Sequence, residues 1–429
     1  MTGAVPEIPG SAAEPVLKGR YLALALLIIV YTLNFLDRQI ISILKDPIGQ
    51  ELNLNDAELG LMGGLAFALL YTTLAIPVAW LADRTSRVWI MTWALGIWSA
   101  FTALCGLTHN YAQLFFARMG VGVGEAGGVA PAYSLIADYF PPRQRARALA
   151  IYSFGIPVGS AAGILFGGLL AQYVDWRFAF ISIGLFGVLL APVFRLLVRD
   201  PPRNLFDAKS ASEKPLGFLP ACRLAFAKPS FWLLSLGAAF SSMVGYGLLY
   251  WMPTYLARSM EMSLVDRSWF LAGVLFFGGV AGMMLGGFLA DRFGQKTKGA
   301  YALIPAAAFL LSAPFYVLGI FTTNATLAFF IFLIPQALGL VWLGPVLTAV
   351  QHLGPANSRT MISALFLLIN NLIGIAVGTY FFGAVSEALK PQLGDESIKY
   401  AFIIGLGFYL VAAALLFLAS RRLAKDWND

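Results

Sequence analysis

LADRTSR at residues 81–87 and LADRFGQ at residues 289–295 are near-copies of one another, 208 positions apart in a chain of 429. Each ends the second apolar stretch in a set of six and opens a short charged break. Between the two sets lies a Pro- and charge-rich interruption, 198–230, with the composition of a linker. The chain is therefore internally duplicated, and its composition says what kind of unit is repeated. Hydrophobic residues make up 59% and charged residues 12% of it, against roughly half and about a quarter in an average soluble domain. Apolar runs of the length needed to cross a bilayer, about 20 residues each, recur from Tyr21 to Ser420.

The pattern predicts an all-α membrane protein with spans near 21–44, 57–82, 88–107, 111–138, 147–173, 178–198, 231–257, 268–290, 300–320, 325–351, 360–386 and 399–420. That is twelve transmembrane helices in two pseudo-symmetric six-helix bundles. The corresponding organisation is a tail over 1–20, a first bundle over 21–198, a linker over 199–230, a second bundle over 231–420 and a tail over 421–429. Residues 1–20 are rich in Pro and Ala and lack an apolar core, so we expect the first helix to be kept as an anchor rather than cleaved.

Lys and Arg crowd one set of loops, with Lys18, Arg84, Arg87, Arg143, Arg145, Lys209, Lys214, Lys296 and Arg421 among them. The opposite loops hold mainly acids, including Asp46, Glu51, Asp56, Asp175, Glu261 and Asp266. Because basic loops resist translocation, both termini are expected in the cytoplasm, with the chain in the inner membrane if the source is bacterial. The net charge of +7 expresses the same bias. No basic cluster is interleaved with a stacking platform, so no nucleic-acid partner is expected. Cys105 and Cys222 are poorly placed to pair, and His109 and His352 fall near span ends, so neither a disulfide nor a metal nor a cofactor is expected. The absence of G-x-x-x-x-G-K-[ST] argues against a pump driven directly by ATP.

Four residues break the apolar rule deep inside predicted spans, all in the first half: Asp37, Arg38, Arg118 and Glu125. A charge at the bilayer centre costs about 3 kcal/mol even on the lenient insertion scale, so such residues usually face a cavity and mark function. Asp37 lies seven residues before the predicted outer end at Leu44, and Arg118 seven residues after Tyr111. At the α-helical rise both are roughly 10 Å deep, and Glu125 is about 10 Å deeper on nearly the same face as Arg118. The fourth span should then present a two-tier charged face, with Asp37 opposite Arg118 on the upper tier. Arg38, turned about 100° from Asp37, would serve packing or snorkel outward. The alternative is an ion-pair network serving helix registry alone. The second-half spans carry no acid or base away from their ends, but present Tyr246, Tyr250, Trp251, Gln336, Trp342, Asn370 and Asn371. One charged wall facing one aromatic, weakly polar wall suits an amphiphile, although aromatics in spans also serve as packing and interface anchors.

Over nearly its whole length the chain resembles the major facilitator superfamily. Gly287, Leu289, Ala290, Asp291, Arg292 and Gly294 match that family's loop motif, and the first-half copy keeps Leu81, Ala82, Asp83, Arg84 and Arg87 but has Ala79, Ser86 and Val88 at three motif positions. Arg118 with Gly120, Gly122 and Gly124, then Gly155, Pro157 and Gly159, and WRFAF at 176–180, are similar to further signatures of the family. The resemblance implies a conformational latch of Asp83, Arg84, Arg87, Asp138, Asp291 and Arg292 that favours an outward-facing state.

NFLDRQIIS at 34–42 and GVGEA at 122–126 look like the spinster group within that superfamily. This implies a proton-coupled secondary transporter of lysolipids or sphingolipids that works by alternating access. Asp37 and Glu125 would titrate, with Arg118 as their counter-charge. The implied substrate cavity draws on Tyr31, Asn34, Arg118, Glu125, Tyr246, Tyr250, Trp342, Asn370 and Asn371. Expected partners are a small amphipathic substrate, protons and membrane lipids, with the chain acting as a monomer and not as an enzyme. A hexuronate-like organic-anion symporter, a non-coupled facilitator, or a polytopic membrane enzyme or receptor are the alternatives.

Overall fold

A computed structural model describes residues 17, 19–203, 206, 218–294, 297–355 and 358–428. Most of the N-terminal tail and of the linker lie outside the described residues, as do Lys18, Lys209, Lys214 and Lys296 of the expected basic loops. Among the described residues every regular element is helical. The first half comprises α1 (Arg20–Leu52), α2 (Asp56–Ala82), α3 (Arg87–Cys105), α4 (Tyr111–Glu125 and Val129–Tyr139), α5 (Pro142–Tyr173) and α6 (Trp176–Leu197). A linker helix (Phe218–Phe226) leads to α7 (Pro229–Arg258), α8 (Leu264–Gly294), α9 (Ala300–Phe321), α10 (Ala325–Gln351), α11 (Arg359–Asn371, Leu372–Val377 and Gly378–Leu393) and α12 (Ser397–Asp426).

Length and apolarity alone pick out 10 candidate spans in this set. The stretch Met361–Asp426 contains two passes, α11 and α12, separated by the turn Gly394–Glu396. The remaining pass is α4, which breaks at 126–128 into pieces of 15 and 11 residues. The twelve-helix architecture follows, with both termini on one side, here named the terminal side, and the opposite face named the far side.

Short loops are possible because the helix starts supply their own caps. Asn55 forms a complete capping box with Glu58, and the side chains of Ser86, Asn110, Asp175, Ser263 and Asn324 each accept a backbone N–H of the helix they open. Such a cap is worth about 1 kcal/mol and fixes where each pass begins. Several passes depart from regular geometry within their length: α2 at Gly64, α5 at Phe154, α4 and α10 at breaks over 126–128 and 339–342, α8 at the π-turn Val274–Gly278 and α11 at the π-turn Leu372–Val377. Interrupted helices at the bilayer midplane are tolerated where they line a protein interior.

Within the first half α1 lies along α5, and α3 packs on α4 and α6; within the second, α12 packs on α7 and α9. The halves meet through α2 on α11, α5 on α8 and α1 on α7. Glycine makes the closest approach possible: a Cβ added at Gly60 of α2 would come within 2.7 Å of the Thr379 carbonyl oxygen on α11. Large apolar side chains such as Phe116, Leu189, Leu196, Phe277 and Phe330 point outward, as expected when the surrounding solvent is lipid.

The structure corrects one boundary that matters. α1 runs to Leu52, well beyond the predicted end at Leu44. Lys45 and Asp46 look like a membrane exit in the sequence, yet both are buried or nearly so, because the second half pairs Arg267 with Asp46 and covers Lys45 with Tyr250 and Trp251. Asp37 therefore sits much further from the end of its helix than the sequence suggests.

Candidate functional site

α1 presents Asn34 and Arg38 one turn apart on a single face, with Asp37 adjacent, and α4 contributes Arg118 and Glu125 from two turns of a second face. All five are buried or nearly so, and Glu125 is fully enclosed. The pairing differs from the expected one. Arg38 Nε donates to Glu125 Oε2 at 2.6 Å, and its guanidinium is boxed by the rings of Phe35 (5.1 Å), Phe67 (4.9 Å) and Tyr71 (4.4 Å). Arg38 is thus the cation of the Glu125 pair rather than a packing or snorkelling residue. Its long side chain reaches across from α1 along the aromatic wall of α2.

Asp37 and Arg118, expected to face one another, form no ion pair within 4 Å among the described residues. Asp37 instead accepts a 2.6 Å hydrogen bond from Thr102 of α3, with Glu125, Arg118 and Arg38 as its charged neighbours. Arg118 is left with Nε and Nη1 unpaired although only 1% of its surface is exposed, its nearest ring being Phe67 at 5.7 Å. Asn34 leaves both amide atoms unpaired, and Asp37 Oδ1, Arg38 Nη2 and Glu125 Oε1 do the same. Buried polar atoms are normally satisfied in native proteins, and each exception calls for a reason. Seven such atoms gather at this one spot, while others, such as Ser235 Oγ of α7, are scattered singly.

That spot borders a cavity between the halves. Arg38, Arg118 and Phe67 line it from the first half; Tyr246, Tyr250 and Thr379 line it from the second. Of the other expected cavity residues, Tyr31 stacks on Tyr152 at 4.3 Å, and Asn34 neighbours Glu125. Asn370 accepts a 2.9 Å hydrogen bond from Ser242 and donates to Asn371 at 3.3 Å, bracing α11 against α7. Trp342 packs near Phe366, with centroids 6.3 Å apart. Of the expected cavity residues, Arg118, Tyr246 and Tyr250 line this cavity, whereas Tyr31, Asn34, Glu125, Trp342, Asn370 and Asn371 do not.

On the terminal side the expected latch is only partly assembled. Arg87, almost fully buried, pairs with Asp138 at the end of α4 and with Asp200 just beyond α6, at 2.8 Å for Asp200. It also donates to the Pro201 carbonyl at 2.9 Å. Burial raises the Asp200 carboxyl, but hydrogen bonds from Arg87 and Ser86 outweigh it and hold the group below the usual carboxylate range. Asp83, Arg84, Asp291 and Arg292 are exposed and are not drawn into this network; Arg84 lies over its own neighbour Trp80 at 4.0 Å. Of the expected latch, then, only Arg87 and Asp138 are engaged in this network.

The far-side closure was missed in the sequence. Asp46 of α1 accepts from Arg267 at 2.7 Å and from Thr254 at 2.6 Å. Asp56 of α2 takes a two-pronged bond from Arg258 at 2.7 and 2.8 Å and a third from Ser386 at 2.8 Å. Tyr250 donates to the Leu59 carbonyl at 2.8 Å, and Thr379 to that of Gly60 at 3.0 Å. Opposite charges at corresponding loop ends, acids in the first half and arginines in the second, were the available signal.

The Major Facilitator Superfamily model matches residues 27–379. An MFS-type efflux pump of Mycolicibacterium smegmatis is 34% identical over 408 residues, covering 94% of this chain and 93% of that one. Protein spinster homolog 1 of Xenopus laevis is 28% identical over 425 residues, covering 91% of this chain and 80% of the relative. The crystal structure of a bacterial homologue of the human lysosomal transporter Spinster, inward-facing and unoccupied, aligns with a TM-score of 0.86 at 32% identity, covering 96% of this chain and 99% of the other.

Proposed function

Because this chain belongs to the major facilitator superfamily, as an integral multi-pass membrane transporter with spinster-like relatives, we propose that its cargo is an amphipathic lipid of the lysolipid or sphingolipid class and that protons drive it. The observation that carries the proposal is the cluster of Asn34, Asp37, Arg38, Arg118 and Glu125, which holds several unpaired buried polar atoms beside a cavity walled on its other side by Tyr246 and Tyr250. An anionic or zwitterionic headgroup would find the free donors of Arg118, and an acyl chain would lie against the aromatic second-half wall.

Coupling follows from the charge arrangement. Two carboxylates and two guanidinium groups share one enclosed space, and only one close pair, Arg38 with Glu125, is made. A carboxylate in a low-dielectric cavity stays charged beside a cation and becomes neutral without one. Protonation of Glu125 frees Arg38, and a headgroup on Arg118 alters the field at Asp37. Proton and cargo then bias the same element, which is the requirement for linked alternating access. The same proposal puts both termini in the cytoplasm and the far side outside, with a monomer as the working unit. On this reading the structure is inward-facing.

Two experiments test the proposal. Thermal-shift screening of the purified chain should rank lysophosphatidylcholine and sphingosine above glucuronate; the reverse ranking selects the organic-anion symporter. Single cysteines replacing Ser86 and Lys298 should be labelled from the cytoplasmic side only, and labelling solely from outside would invert the topology. Because the 34% identical relative is an efflux pump, export of amphiphilic foreign compounds through the same cavity is the second reading, and the same screen extended to hydrophobic cations decides it.

A further inference from the structure

Beyond the central cavity, on the far side of Tyr250, three basic groups surround two carboxylates. Lys45 is wholly buried; its Nζ donates to the Ser42 carbonyl at 2.9 Å and comes no closer than 4.0 Å to Asp46. The same ammonium lies 5.2 Å from the ring centroids of both Tyr250 and Trp251. Asp46 is taken by Arg267 and Thr254, and Asp56 by Arg258 and Ser386. The third acid of the region, Glu387, accepts the Asp56 backbone N–H at 3.1 Å and lies 3.5 Å from Lys390. Lys45 therefore has no carboxylate of its own.

The distribution of these charges between the halves is uneven. Both carboxylates belong to the first half, on α1 and α2, and both arginines to the second, at the end of α7 and the start of α8. When the halves part on this side, Arg258 and Arg267 lose Asp56 and Asp46 together, and Lys45 loses its aromatic cover. A guanidinium fork that binds a carboxylate with two prongs binds a phosphate in the same way. Lys45 also stands two turns beyond Arg38 on the same helix face, so cations continue from Arg118 and Arg38 towards the far side.

We infer that Arg258 and Arg267, which stay together on the second half when the halves part, form a second anion site that exists only in the far-side-open state, built for a phosphate headgroup, and that Asp46 and Asp56 occupy it as internal anions when the gate is shut. This rests on the transport reading above and adds to it the site where the headgroup enters or leaves. An anion arriving from the far side competes with the two carboxylates and thereby stabilises the open form, since a ligand shifts an equilibrium by its differential affinity.

The test uses the whole chain in zwitterionic nanodiscs, with Cys105→Ala and Cys222→Ala and spin labels on His109→Cys and Thr323→Cys, two exposed far-side loop positions. The inter-label distance distribution reports far-side opening during titration with lysophosphatidate and, separately, with glycerol 3-phosphate. Asp46→Asn and Arg267→Gln break the same ion pair. If an anion site is present they act in opposite directions: Asp46→Asn lowers the half-saturating concentration about tenfold and Arg267→Gln raises it about tenfold, the size expected for one charge-assisted hydrogen bond. Asp56→Asn and Arg258→Gln repeat the contrast on the second pair. Shifts in the same direction for both members of a pair, or no anion response in the wild type, overturn the inference. A response to glycerol 3-phosphate without one to lysophosphatidate keeps the site and removes the lipid reading. Lysophosphatidate binding with no opposed shifts keeps the lipid reading and removes the site.

Discussion

The two halves repeat one architecture and fill it differently. In the first, α1 and α4 hold Asp37, Arg38, Arg118 and Glu125 inside the bundle, with several of their polar atoms unpaired. In the second, the corresponding interior is neutral among the described residues, and Ser242, Asn370 and Asn371 are joined by hydrogen bonds. Satisfied neutral groups hold a scaffold still, whereas a charged cluster with spare hydrogen-bonding capacity can change partners. Under the proposed function, the first half would hold the groups that couple protons to cargo, and the second would supply the neutral wall of the central cavity.

The sharpest way to break the comparison is Arg38→Ala. It leaves Glu125 enclosed without its cation, which typically costs about 3–5 kcal/mol for a broken buried pair. We expect a large fall in detergent melting temperature and loss of transport. Adding Glu125→Gln should restore most of the melting temperature and none of the proton-driven uptake. Arg118→Ala should behave differently. Arg118 makes no ion pair among the described residues, so its removal should shift stability by less than about 1 kcal/mol while abolishing binding of an anionic headgroup. Equal thermal losses for the two arginines would mean that Arg118 has a partner in the resting state after all.

A smaller effect is expected on the terminal side. Asp200→Asn removes the charge that Arg87, Ser86 and the Val88 amide stabilise by hydrogen bonds and should lower the melting temperature by an amount corresponding to about 1 kcal/mol. Because its carboxyl is held below the usual range when folded, this contribution is present at neutral pH and fades as pH falls through that lowered value. The difference between wild type and Asp200→Asn should therefore narrow in acid. Least of all should change in the second-half wall: Tyr246→Ala should weaken binding of a long-chain lysolipid by about tenfold, as for a lost aromatic contact, while leaving the pH dependence of uptake in place. A changed pH dependence there would move part of the coupling into the second half.

Much of this was legible in the sequence because it is written in hydropathy and in the duplicated LADR segments. The twelve passes, the two bundles and the singling out of Asp37, Arg118 and Glu125 came from the rule that charges avoid lipid. Partner choice was not legible. Helix angle and depth place Arg38 on a different face from Asp37, but they do not reveal that its side chain runs past Phe35, Phe67 and Tyr71 to Glu125. The far-side gate was hidden for a related reason. Lys45, Asp46 and Asp56 are ordinary loop charges when read along one chain, and become a closure only when Arg258 and Arg267, 202 and 221 residues away from Asp56 and Asp46, fold against them.

The central claim is that the first-half cluster couples protons to cargo. Its most direct test is lysolipid uptake into proteoliposomes with and without an imposed pH gradient, for wild type, Asp37→Asn and Glu125→Gln. The account predicts that wild-type accumulation follows the gradient, and that both neutral variants lose gradient-driven accumulation while keeping part of the exchange of internal for external substrate. Wild-type uptake indifferent to the gradient, or full gradient-driven accumulation in both variants, would contradict it and leave these charges as struts in a facilitator.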